Sequence, residues 1–157
     1  MRLQKEKNKR EALIEVFKLL NDNAHRNARR RVHRLRNASS IEQKREILYD
    51  MNACRKDDLD PKIEAIHTES KEIVKADFEQ IGALVKQQLV PQDDFIEIYW
   101  HTIILSWNDL DGEIKKMKVA NPSYMRNFGD LKIKADEYRE KNHNNLKEDD
   151  LNKFDIS

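Results

Sequence analysis

Glu64 and His67 are spaced Glu-x-x-His, which on a helix puts a carboxylate and an imidazole on one face. Two copies of that spacing hold the paired irons of helix-bundle enzymes. Glu97 and His101 lie one turn apart further along. If residues 61–88 and 91–117 form an antiparallel helical hairpin that turns near residue 90, Glu64 and His67 fall level with Glu113, and His101 with Glu79. Each level then offers at most one histidine with two carboxylates. The hairpin thus falls short of a di-iron set, and among 29 acids and five histidines such spacings arise by chance. His67 and His101 are read as helix-surface or boundary residues with a carboxylate neighbour. No metal ligand and no cofactor is assigned, and a helix-bundle metal enzyme ranks third among the functions considered.

Nucleophilic catalysis finds little support. Cys54 is the single cysteine, which excludes an internal disulfide and fits a reducing compartment. Arg55 and Lys56 beside it would favour a thiolate. However, no histidine is near in sequence, and the C-terminal end of a helix disfavours negative charge. No Gly-x-Ser-x-Gly elbow, phosphate-binding loop or dinucleotide fingerprint occurs. The chain is expected not to be an enzyme.

The charge pattern is more informative. Residues 23–41 contain no acid and carry six arginines, at positions 26, 29, 30, 31, 34 and 36. Residues 1–36 hold 12 Lys+Arg against 4 Asp+Glu, a net of +8, and the remaining 121 residues hold 18 against 25, a net of −7. The total of +1 hides this segregation. Arg26, Arg29, Arg30 and Arg34 are the candidates for binding an anion or a partner, since guanidinium groups make charge-assisted bonds to phosphate and carboxylate. Nucleic-acid modules usually add stacking aromatics, base-reading side chains or a zinc motif. The segment has no Phe, Tyr or Trp, and no glycine to mark a helix-turn-helix. The first expectation is therefore that these arginines pair with the acids of the same chain. An acidic protein or a neighbouring subunit comes second, and nucleic acid or an anionic lipid third.

The elements that would position these groups are helical. Three Gly and three Pro in 157 residues leave little material for tight turns, and 157 residues make one domain. Leu13, Val16, Phe17 and Leu20 stripe a helix over about 4–21, and Asp22 or Asn23 can cap the next. Ala24, Ala28, Val32 and Leu35 stripe a helix over 24–36. Ser39 with Glu42, or Ser40 with Gln43, reads as a capping box for a third helix carrying Ile47, Leu48 and Met51. Asp60-Pro61 predicts the start of a long helix with Ile63, Ile66, Ser70, Ile73, Val74, Phe78, Ile81, Leu84 and Val85 on one side. Pro91 opens another with Ile96, Trp100, Ile103, Ile104, Trp107, Leu110, Ile114 and Met117. The two tryptophans are read as core anchors. Asn121-Pro122 reads as the start of a last helix with Tyr124, Met125, Phe128, Leu131, Ala135 and Tyr138.

The fold class is thus all-α: five or six helices around the long antiparallel hairpin, a helical domain over 1–141 and a polar tail over 142–157, read as flexible or else as docking on the basic helix of its own or a neighbouring chain, in which Leu146, Leu151, Phe154 and Ile156 are scattered. No apolar run approaches the ~18–20 residues of a membrane span. The charged N-terminus has no hydrophobic segment behind it, so no secretory signal is expected and the cytoplasm is the expected location.

Several segments together resemble an uncharacterised helical family of bacterial and archaeal proteins, described only as a domain of unknown function. The resemblance covers roughly residues 12–138. It rests on Ala28-Arg29-Arg30-Arg31-Val32, on the run from Val74 through Phe78 and Gly82 to Leu89, on Trp107 with Ile114, and on Tyr124-Met-Arg-Asn-Phe128 with Leu131. It implies no activity. Many members look anchored through an N-terminal span, which this sequence lacks. It does imply that the arginine helix belongs to the framework of the domain. The function expected is a non-enzymatic, self-associating interaction or scaffold module with a protein partner or a second copy of itself. The alternative is a nucleic-acid- or anion-binding protein that uses the helix over 24–36.

Overall fold

The computed structural model describes residues 1–153, with the backbone alone at residue 148. Phe154 and Ile156 lie outside the described residues. Among those described, seven helices and no strand follow one another: α1 (Arg2–Asn21), α2 (Asn23–Leu35), α3 (Ile41–Asp50), α4 (Asp60–Lys86), α5 (Gln92–Ala120), α6 (Arg126–Asn142) and α7 (Glu148–Leu151). The fold is all-α.

The starts of α2, α3 and α4 sit where the sequence signals put them. Asp22 accepts a hydrogen bond from the Ala24 N–H at 2.9 Å and so caps α2. Before α3 the cap is Ser40, and the box is only half made. Ser40 Oγ accepts from the Gln43 N–H, and the Gln43 side chain reaches back to the Ser39 N–H at 2.8 Å. Pro61 lies in the first turn of α4, where its missing donor costs nothing. The link between α4 and α5 turns on Gln88, whose φ of 59° is left-handed. The Leu89 and Val90 N–H groups then close onto the Leu84 carbonyl at 3.0 and 3.3 Å.

The hairpin departs from the expected form. α4 and α5 run in opposite senses from that link but do not pack along their length. α6 lies along both of them, and α2 lies along α4 and reaches α5. The main core fills this four-helix arrangement, with Val74, Phe78 and Ile81 of α4, Ile103, Ile104 and Ile114 of α5, Phe128 and Leu131 of α6, and Ala28 and Val32 of α2. A second, small core of Leu35, Leu48 and Ile63 joins α2, α3 and the start of α4.

The start of α6 also differs. Residues 121–125 form a turn and α6 begins at Arg126, after Met125 with a left-handed φ of 52°. Asn121 is not its cap. The Glu79 carboxylate of α4 accepts from the Phe128 N–H at 2.9 Å, the Asn127 N–H at 3.3 Å and the Asn127 side-chain amide at 3.0 Å. A helix start satisfied from a distant helix leaves no local sequence signature.

Residues 143–153 pack onto the bundle instead of trailing from it as a polar tail. His143 stacks on Trp100 with ring centroids 4.7 Å apart. Leu151 of the short α7 is fully buried in the main core, and Leu146 packs beside it. The contacts of this segment with the bundle are thus the His143 ring, Leu146 and Leu151.

Candidate functional site

The inner face of α2 is built of charge as well as of apolar side chains. Ala28, Val32 and Leu35 are buried, whereas Ala24 is exposed. Arg29 is buried with them, the half-buried His25 and His33 flank it one turn either side, and Arg36, the exposed C-cap, follows three residues on. His25 Nδ1 lies 2.8 and 2.7 Å from the two carboxylate oxygens of Asp77 in α4. His33 Nδ1 lies 2.9 Å from Asp109 Oδ2 in α5, and Arg36 Nη1 lies 2.8 Å from Asp109 Oδ1. The Asp109 side chain is fully buried, and its two oxygens are divided between His33 and Arg36. Burial pushes the Asp77 carboxyl above its ordinary value, against the pull of His25 and Arg29.

Arg29, between the two pairs, is 1% exposed. Its Nη2 donates to the Leu20 carbonyl at 2.5 Å, in the last turn of α1 where that oxygen has no helical donor. A cation at a helix C-terminus is also favoured by the macrodipole. Burial holds the Arg29 pKa below its ordinary value, with the Asp77 charge working against it. Arg29 is therefore an internal cap that joins α1 to α2 and is not available as a binding group on the surface. The expectation of Arg29 as an outward arginine is corrected on this point. It shares the buried face with Val32 and lies between His25 and His33.

Arg26, Arg30 and Arg34 occupy the outer side at helical spacing, with Arg31 at its edge. Arg34 is exposed, while Arg26, Arg30 and Arg31 are half-buried. Arg30 has a partner. Arg26, Arg31 and Arg34 make no ion pair among the described residues. The acids of the chain thus claim the histidines, Arg36 and the surroundings of Arg29, and leave much of the outer arginine face unneutralised. Asp77 and Asp109 were the residues to look for, and Asp77 carries a signal. It interrupts the apolar run of Val74, Phe78 and Ile81, a position where an acid calls for an internal partner.

The other candidates come apart in the structure. Glu64 pairs with Lys44 of α3 at 3.0 Å. Glu113 lies 3.3 Å from both Lys71 and Lys75. Glu113 is near His67, as the hairpin register predicts, but lysines take its carboxylate. Burial and then Lys71 and Lys44 hold the His67 pKa below 6.5, against Glu64 and Glu113. Lys75 is nearly fully buried, and its Nζ also donates to the Tyr124 hydroxyl at 3.0 Å. Burial alone would lower its pKa, yet the bonds to Glu72 and Tyr124 and the charge of Glu113 raise it. Glu140 and His143 repeat the Glu-x-x-His spacing at the end of α6, a second copy passed over in the sequence. There His143 is stacked on Trp100. No group of three or more metal-ligating side chains forms among the described residues.

Cys54 is half-buried, and burial followed by the Asp58 charge raises its thiol pKa, the opposite of activation. Trp100 is a core residue, whereas Trp107 is half-buried, edge-on to Phe128 at 5.0 Å with Lys118 Nζ 5.5 Å from its ring centre. No helix among the described residues is long and apolar enough to cross a membrane. The chain matches no protein-family model, no curated protein and no solved structure.

Proposed function

We propose that this chain is a non-enzymatic helical interaction module that self-associates in the cytoplasm through charge-segregated faces. The observation that carries this is the unneutralised charge of the first two helices. Arg2, Lys5, Arg10, Arg26, Arg31 and Arg34 make no ion pair among the described residues, although the chain is close to neutral. The acids that would match them lie on other surfaces, where a second copy can reach them. Light scattering at roughly 50 mM and 500 mM salt tests it. The expected mass exceeds that of one chain at low salt and falls towards it at high salt. A single-chain mass at every concentration and salt would overturn self-association.

The second reading, binding of nucleic acid or another polyanion through α2, is favoured by the outward line of Arg26 and Arg34. It requires retention of DNA or RNA that falls steeply as salt rises. No mobility shift at low salt with either would remove it.

A further inference from the structure

We propose that α1 of one copy docks antiparallel on α3 of a second, with Arg10 against Glu42, Lys7 against Glu46 and Leu3 against Tyr49. This rests on the self-association proposed above and names the surfaces that carry it. α1 joins the core only from Ala12 onward, and every residue from Arg2 to Asn8 is exposed. On the outward side of α1, Leu3, Lys7, Arg10 and Ile14 are spaced four, three and four, the seam of a helix pair. Leu3 is 88% and Ile14 50% exposed. The first turn of α1 has neither an acid nor a side-chain cap, so its cations stand at the positive end of their own helix dipole. An isolated helix of this length is marginal in water, which makes an exposed half with unfavourable charge one that gains by being covered.

α3 offers the complement. Glu42, Glu46 and Tyr49 are spaced four and three on its exposed side, and Asp50 follows at the end of the helix. None of the three acids forms an ion pair among the described residues. They line a groove of about 510 Å³ together with Arg45, Tyr49 and Lys56. Arg45 is already paired with Asp60, and Lys56 Nζ lies 4.8 Å from the Tyr49 ring centre. The antiparallel sense follows from charge: it brings Arg2 beside Asp50 and puts the cationic start of α1 at the negative end of the α3 dipole. Because both helices belong to one chain, a two-fold axis makes the contact twice.

A charge-swap experiment on the full chain tests the pairing. One variant carries Lys7→Glu and Arg10→Glu, and the other Glu42→Lys and Glu46→Lys. All four positions are exposed and outside the core, so both variants should fold, which circular dichroism and melting will verify. Each alone should weaken self-association about ten-fold or more at low salt. An equimolar mixture should restore it, since each reversed helix then meets its reversed partner. Wild type that associates while both variants associate equally well would overturn this inference and leave self-association standing. A monomeric wild type would overturn both. Failure of the mixture to recover association would overturn the pairing, as would reversal on α1 that spares the dimer but abolishes retention of DNA or RNA.

Discussion

The α carbon of Gly82 faces the backbone of Asn127 so closely that a β carbon built on it would lie 2.5 Å from the Asn127 carbonyl oxygen. This is where α4 receives α6, one turn from the Glu79 carboxylate that caps α6. Gly82→Ala is expected to destabilise the fold by about 1–2 kcal/mol, the cost of overpacking exceeding the helix propensity gained. Gly112, inside α5, has nothing within 4 Å of such a carbon. Gly112→Ala should stabilise by about 0.5–1 kcal/mol. Urea denaturation of both variants checks this, and a Gly82→Ala variant as stable as wild type or more so would refute the close approach at residue 82.

Glu79→Ala removes the acceptor for the first N–H groups of α6. The expected loss is about 1–2 kcal/mol, the range of a helix cap, with the charge-assisted bonds at its upper end. Hydrogen exchange should quicken most at Asn127 and Phe128. Uniform quickening across the chain, without that local excess, would count against Glu79 as the cap.

Asp109→Asn leaves His33 and Arg36 without their shared carboxylate. Both partners retain partial access to water, so the loss is expected at about 1–3 kcal/mol, below that of a fully enclosed pair. His33→Gln in the same background should then cost less than it does in wild type, because the two act on one bond. Additive losses would show that the pair contributes nothing of its own.

Acid should weaken the fold first through two histidines. Burial, then Lys71 and Lys44, keeps the pKa of His67 below 6.5, and burial alone does so for His101. In the window between the lowered folded values and 6.5 the unfolded chain binds more protons than the folded one. Their contribution is therefore complete above 6.5 and drains as the pH falls through that window. Asp77, raised by burial, acts with the opposite sign in the carboxylate range. The midpoint temperature should fall from about pH 7.5 to about pH 5.5, and His101→Gln should flatten the slope. An unchanged slope would remove His101 from this account.

Apolar periodicity and capping residues carried most of the helix pattern. Asp22, Ser40 with Gln43, and Pro61 act locally, so their signals survive in one dimension. What the sequence concealed is what acts across helices. Glu79 lies 49 residues before the amide it caps, and nothing local distinguishes it from a surface glutamate. The arginine segment was legible as charged and amphipathic. Which of its cations turn inward was not, because His25 and His33 took the acids that its arginines were expected to claim. Leu151 was lost in a polar neighbourhood whose average character hid one buried side chain.

The partners of α2 have a consequence in time. His25 finds Asp77 52 residues further on, and His33 finds Asp109 76 residues further on. At about 5–20 residues per second of synthesis, the nascent arginine helix waits roughly 3 to 15 s for the acids that hold it. During that interval it is a bare polycation beside the ribosome. A slower passage through the codons for residues 60–110 would prolong that exposure.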